Sequence, residues 1–282
     1  MRVFFLASCL FIPIMASCQI EAKIAPAFNI EKVISYDAPT EARYSQGMDI
    51  YNGYVFQGYS DGTVDVYDIH QRLFIQTIKL PKDENGYNRH CNDLFIQQIE
   101  SNLVMWIPSN YLNSPTTGLS LRFAEGKYSL QASYVTIPSP ILTNENTLKG
   151  STLFFGNNSN YCIQVAYKET EEGGYGDTVI ACYYYDVLSS SVKYSKLWEY
   201  QRERLWAMQG GSFLGDSFYL AVGVPDEDAK IYKFNLKDGT MDCYIDLRGD
   251  PFLLPFGEEM QGVSFYDGEL YFSTTYGLYK IR

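Results

Sequence analysis

Tyr44-Ser45-Gln46-Gly47-Met48-Asp49-Ile50-Tyr51-Asn52-Gly53, followed by Tyr54-Val55-Phe56, returns twice further along the chain. The second occurrence is Trp206-Ala207-Met208-Gln209-Gly210-Gly211-Ser212-Phe213-Leu214-Gly215-Asp216 with Phe218-Tyr219-Leu220. The third is Glu259-Met260-Gln261-Gly262-Val263-Ser264-Phe265-Tyr266-Asp267-Gly268 with Leu270-Tyr271-Phe272. Each unit reads as Gln-Gly, a short apolar strand, a two-residue turn and a second strand. Asn-Gly and Asp-Gly between apolar runs are strong hairpin signals, because both turn residues tolerate positive φ.

The units continue alike. An alternating third strand follows in Thr63-Val64-Asp65-Val66-Tyr67-Asp68-Ile69, in Lys230-Ile231-Tyr232-Lys233-Phe234 and in Gly277-Leu278-Tyr279-Lys280-Ile281. The first two units add a fourth strand, at 73–78 and 241–247. Four antiparallel strands per repeat make a propeller blade. The Gln-Gly glycines at 47, 210 and 262 set intervals of 163 and 52 residues, so the longer spans three units. Two degenerate units therefore lie between. One contains Asn92-Asp93-Leu94-Phe95-Ile96 and Leu103-Val104-Met105-Trp106. The other contains Lys149-Gly150-Ser151-Thr152-Leu153-Phe154-Phe155-Gly156 and Tyr161-Cys162-Ile163.

The last unit lacks a fourth strand, while the stretch 28–36 is a spare strand ahead of the first. Pairing the two closes a ring and removes two exposed edges. The expected fold is all-β, a five-bladed β-propeller over 28–282 whose last blade is completed by an N-terminal strand. The repeat pattern resembles bacterial five-bladed propellers of the broad YVTN/WD40-like kind. That resemblance implies a fold and no activity.

Charged residues make up 20% of the 282 and aromatic residues 16%, which excludes disorder, collagen and coiled coil. The net charge of −11 leaves no basic footprint for nucleic acid. Arg2, the apolar run 3–14 and the small residues before Cys18 read as a signal peptide over 1–17. The apolar run is too short to cross a bilayer. Met15-Ala16-Ser17-Cys18 resembles a bacterial lipobox, with Met15 where Leu is usual. The resemblance implies cleavage before Cys18 and its lipidation. Residues 18–27 would then be the lipidated cysteine and a tether. The expected location is the cell envelope, with Gln19 after the cysteine compatible with an outer-membrane destination. The membrane partner would be reached through acyl chains.

Of the cysteines left after export and lipidation, Cys162 and Cys182 flank a hairpin around Glu172-Gly173-Gly174 and could face each other. A disulfide and a pair of free, buried thiols are both open readings, because bridge geometry is demanding.

First strands of propeller blades line the central channel. Gln46, Gln209 and Gln261, with Asn92 and Lys149 at the degenerate positions, are expected to ring one mouth, either contacting a ligand or tying blades together. His90, Arg204, Trp206, Glu258 and Glu259 lie close by in sequence and complete the candidate ligand site. No serine-hydrolase, zinc-protease, P-loop or dinucleotide motif is present. Asp61, Asp65 and Asp68, and Asp226 with Asp228, are read as turn aspartates, so no metal and no cofactor is expected. His70 is read as a solvated turn residue.

These features point to a binding or scaffolding module for a glycan, peptide or partner protein, and less to an enzyme. The enzymatic alternative rests on resemblance to propeller glycosidases, which need two carboxylates, and to propeller-type glutaminyl cyclases. Either would place Glu258 or Glu259 first, but neither family's full motif is present.

Overall fold

Five seams, each filled with its own apolar cluster, hold five four-stranded antiparallel sheets in a ring. The computed structural model describes residues 29–37, 40, 43–82, 91, 93–108, 116–137, 140, 148–156, 160–188, 191–205, 208–223, 229–247 and 259–282. No helix occurs among them. Residues 1–17, read above as a signal peptide, and 18–27, read as a lipidated cysteine and tether, lie outside the described residues.

The blades follow chain order. Blade I is β2 (Ser45–Tyr51), β3 (Tyr54–Tyr59), β4 (Thr63–Asp68) and β5 (Leu73–Lys79). Blade II is β6 (Phe95–Ile99), β7 (Asn102–Ile107), β8 (Thr116–Ala124) and β9 (Lys127–Ile137). Blade III is β10 (Leu148–Phe155), β11 (Tyr161–Glu169), β12 (Tyr175–Leu188) and β13 (Ser191–Arg202). Blade IV is β14 (Met208–Leu214), β15 (Ser217–Val222), β16 (Lys230–Asn235) and β17 (Met241–Asp246). Blade V is β18 (Met260–Tyr266), β19 (Glu269–Thr274), β20 (Gly277–Ile281) and, on its outer edge, β1 (Ile30–Ser35).

The all-β, five-bladed architecture expected from the repeats is therefore the observed one. Asn52-Gly53 and Asp267-Gly268 have positive φ at both positions, as their hairpin turns require. Glu125-Gly126 makes the same turn in blade II without carrying the usual signal.

Ring closure depends on β1. It pairs antiparallel with β20 from Ile30↔Ile281 to Ser35↔Gly277, and Ile34 is buried in the seam between blades V and I. Glu31 receives Arg72 of blade I at 2.6 Å and Arg282 at 2.8 Å. The bond from Arg72 is the main cause holding the Glu31 carboxyl below its ordinary value.

Two local readings differ from expectation. Cys162 lies opposite Tyr183, and Cys182 opposite Ile163, so the two cysteines point into different seams. The register is offset because β12 carries an extra residue near the turn, between the Tyr167↔Thr178 and Glu169↔Tyr175 pairs. One residue of offset reverses which face a side chain occupies. Both thiols are free and buried. Asp65 is not a turn residue: it sits inside β4, buried, and takes Arg43 at 2.6 Å and the Thr77 hydroxyl at 2.7 Å. Asp61 and Asp68 do cap turns, receiving the Thr63 N–H and the His70 and Gln71 N–H groups.

Candidate functional site

Every inner strand starts at its Gln-Gly end and runs to the blade's first hairpin turn. The first and third turns of each blade therefore share one face of the ring, and the Gln-Gly segments belong to the other.

At the Gln-Gly end the axis is packed shut by backbone. A Cβ on Gly47 would fall on the Asp93 backbone, and one on Gly210 would stand 2.6 Å from the Gly262 Cα. Glycine is what lets these chains approach so closely. Asp93 occupies the Gln-Gly position of blade II. Its Oδ1 lies 2.8 Å from the Cβ position of Gly47 and 3.4 Å from that of Gly210, so the carboxylate reaches from blade II to blades I and IV.

Two aspartates share this interior and are treated differently. Asp49 accepts the Ile50 N–H at 2.8 Å, the Ile96 N–H at 2.8 Å and the Ser264 hydroxyl at 2.7 Å, which ties blades I, II and V together. Burial outweighs these donors and lifts its pKa to about 6. Neither Asp93 oxygen has a hydrogen-bond partner among the described residues. Burial first, and the charge of Asp49 second, raise its pKa well above normal; the adjacent Leu94 N–H eases this without completing a hydrogen bond.

The expected site residues are only partly brought together. Gln46 and Gln261 are 3% and 1% exposed, so they lie inside the packed axis and not on an open rim. Gln261 donates through Nε2 to Glu259 Oε2 at 3.1 Å. Arg204 turns over the β11–β12 hairpin, its guanidinium 5.7 Å from the Tyr175 ring centre and bonded to the Tyr175 carbonyl at 3.0 Å. His90, Asn92, Trp206, Glu258 and the Gln209 side chain lie outside the described residues. His70 is exposed but engaged, its Nε2 lying 3.1 Å from the Tyr266 hydroxyl.

The opposite face holds a cleft that sequence reasoning did not single out. It lies at the seam of blades I and II, has a volume of about 380 Å³ and is lined by Tyr51, Asn52, Gln98, Arg122, Phe123 and Tyr128, among others. Phe123 is 48% exposed. Behind it the Tyr128 ring packs at 4.6 Å and Tyr54 at 5.6 Å, and Tyr128 in turn meets the buried Phe56 at 4.9 Å. An aromatic stack thus runs from the core to the surface. The Tyr51 hydroxyl donates to Gln98 Oε1 at 3.0 Å, and Gln98 Nε2 to the Glu100 carbonyl at 2.9 Å, which holds the amide in place. A second cleft, about 260 Å³, lies on the same face at the closing seam and contains the Glu31 and Lys280–Glu269 ion pairs.

Asp49 had a signal in the sequence. It occupies the position taken by Ser212 and Ser264 in the other repeats, a polar residue in an otherwise apolar inner strand. Phe123 and Arg122 recur in no other blade, so the repeat pattern could not reveal them.

No family model matches the sequence, and no curated protein matches it significantly. Among solved structures, the chain is similar to the β-propeller domain of Cps50 (Swd1) from Myceliophteria thermophila, at 10% identity and TM-score 0.45 over 90% of this chain and 99% of that one. It is similar to glutaminyl cyclase from Myxococcus xanthus, at 10% identity and TM-score 0.49 over 90% and 96%. A putative oxidoreductase (glucose dehydrogenase) from Thermus thermophilus aligns at 9% identity and TM-score 0.48 over 91% and 100%. These are likenesses of shape; strand pairing carries the fold, and no activity transfers.

Proposed function

We propose that the protein is an exported, lipid-anchored binding module that takes a glycan in the cleft between blades I and II. The observation that carries this reading is Phe123, a half-exposed ring backed by Tyr128 and Tyr54 and flanked by the Gln98 and Asn52 amides and Arg122. A sugar ring has apolar C–H faces and a rim of hydroxyls. An aromatic platform with the bonded Gln98 amide beside it answers both, within a cleft whose lining is mostly polar. The signal-like segment and Cys18 supply the membrane attachment in this reading, in the outer membrane of a two-membrane bacterium.

The enzymatic alternative has less to draw on. Glu259 is already bonded to Gln261, and the channel carboxylates Asp49 and Asp93 are 4% and 1% exposed. Those carboxylates offer substrate no access.

The test is a glycan array with the purified full chain, followed by calorimetry on the strongest hit. Phe123→Ala should weaken that hit by about 1–2 kcal/mol and leave the fold intact, because the ring is half in solvent. Binding that ignores the substitution would move the ligand elsewhere. The anchor has its own test: Cys18→Ala should transfer the protein from the detergent phase to the soluble exported fraction.

A further inference from the structure

Several buried acceptor oxygens gather at the packed end of the axis. Both Asp93 carboxylate oxygens and the Oε1 atoms of Gln46 and Gln261 are buried without hydrogen-bond partners among the described residues. For Gln261 the amide orientation is set by chemistry: its Nε2 must face the Glu259 carboxylate, which leaves Oε1 as the acceptor. The backbones that bear these oxygens meet. Gly47 follows Gln46 and abuts Asp93; Gly262 follows Gln261 and abuts Gly210, whose Cβ position is 3.4 Å from Asp93 Oδ1. A buried carboxylate and buried amide oxygens each cost free energy unless something positive or hydrogen-donating meets them. The charged group acting on Asp93 is Asp49, of the same sign.

We propose that this end of the channel binds a hard divalent cation of the calcium kind, with Asp93 as its charged ligand and the Gln46 and Gln261 amide oxygens as neutral ones. Calcium accepts mixed carboxylate and amide oxygens at about 2.3–2.6 Å in flexible geometry, whereas magnesium demands a strict octahedron. Among the described residues no three His, Cys, Asp or Glu side chains converge, so neutral amide oxygens would have to supply most of the ligands. Asp49 adds attraction without ligating, since its oxygens are already occupied by three donors. One ligating carboxylate sets a weak affinity, on the order of 10⁻⁴–10⁻³ M, the range of extracellular calcium modules. The cation joins blades I, II and V where their inner strands meet, and its role is to hold the ring. The hairpin-turn cleft is a separate site.

The experiment is a thermal melt of the purified full chain in EDTA and in 5 mM calcium chloride at constant sodium chloride, with equilibrium dialysis to count bound calcium. The expected results are one calcium per chain and a melting temperature higher by about 3–5 °C. Asp93→Asn should lose both the bound calcium and the shift. It should melt close to the wild type in EDTA, because it exchanges a buried, unpartnered carboxyl for an amide of the same size. Gln46→Ala, an uncharged change, should raise the calcium needed for half the shift several-fold. No bound calcium and no shift in the wild type would overturn the proposal and leave Asp93 as a protonated acid. So would calcium binding that survives Asp93→Asn. A melting shift produced equally by sodium or potassium would overturn the divalent assignment.

Discussion

At the Gln-Gly end of the axis, residues that recur from blade to blade bring backbones into contact; at the hairpin-turn end, residues that occur once form an open aromatic cleft. Gly47, Gly210 and Gly262 are needed because a Cβ at each would collide with Asp93, Gly262 or Met48. Phe123, Arg122 and Gln98 answer to no such constraint and are exposed. Recurrence in a repeat protein therefore marks what every blade must do to pack. A ligand, which meets the ring at one place, is better sought among residues that break the repeat.

Removing the closing strand should have the largest effect on the ring. A chain beginning at residue 40 loses the β1–β20 ladder and the buried Ile34 and Tyr36. That should cost about 5 kcal/mol or more, lowering the melting temperature by about 10 °C or more. A truncated chain that melts like the intact one would show that the ring closes without it.

Gly47→Ala should come next, at about 3 kcal/mol, because the added methyl meets Asp93 backbone and no flexible side chain can give way. Denaturant unfolding measures it. A near-neutral result would mean that the axis is looser than its packing implies.

The pH dependence is smaller and has an unusual sign. Asp49 has a folded-state pKa of about 6 against an ordinary 3.8, so the folded state holds its proton more tightly. Its ionisation destabilises the protein as pH rises from 3.8 through about 6. Glu31 acts oppositely: held below 4.5 by Arg72, it stabilises above that value and loses its effect as pH falls further. In chelator both buried aspartates therefore favour the acid side: stability should rise from pH 8 to pH 5, by about 1–2 kcal/mol from Asp49 with Asp93 adding in the same direction, and fall again in stronger acid. A melting temperature that climbs steadily from pH 5 to pH 8 would contradict the burial of Asp49.

Much of this was legible from the chain alone. Asn-Gly and Asp-Gly turns, alternating third strands and the spare strand at 28–36 specify blade number and closure, because hairpin chemistry and strand periodicity are local. The Cys162–Cys182 register was not legible, since it turns on one extra residue in β12. Asp65 was misplaced because its partner, Arg43, comes from 22 residues away. The cleft was hidden for a similar reason: β8 and β9 carry weak repeat signals, and Phe123 meets Tyr54 only across a blade seam.

Whether ligand is met on the hairpin-turn face is decided by one side-by-side measurement. The wild type, Phe123→Ala and Gln209→Ala are applied to the same glycan array at matched concentration. The wild-type hits should weaken about 5–30-fold with Phe123→Ala and keep their strength with Gln209→Ala. Hits that keep their strength with Phe123→Ala and weaken with Gln209→Ala, in a variant that melts like the wild type, would contradict binding on that face.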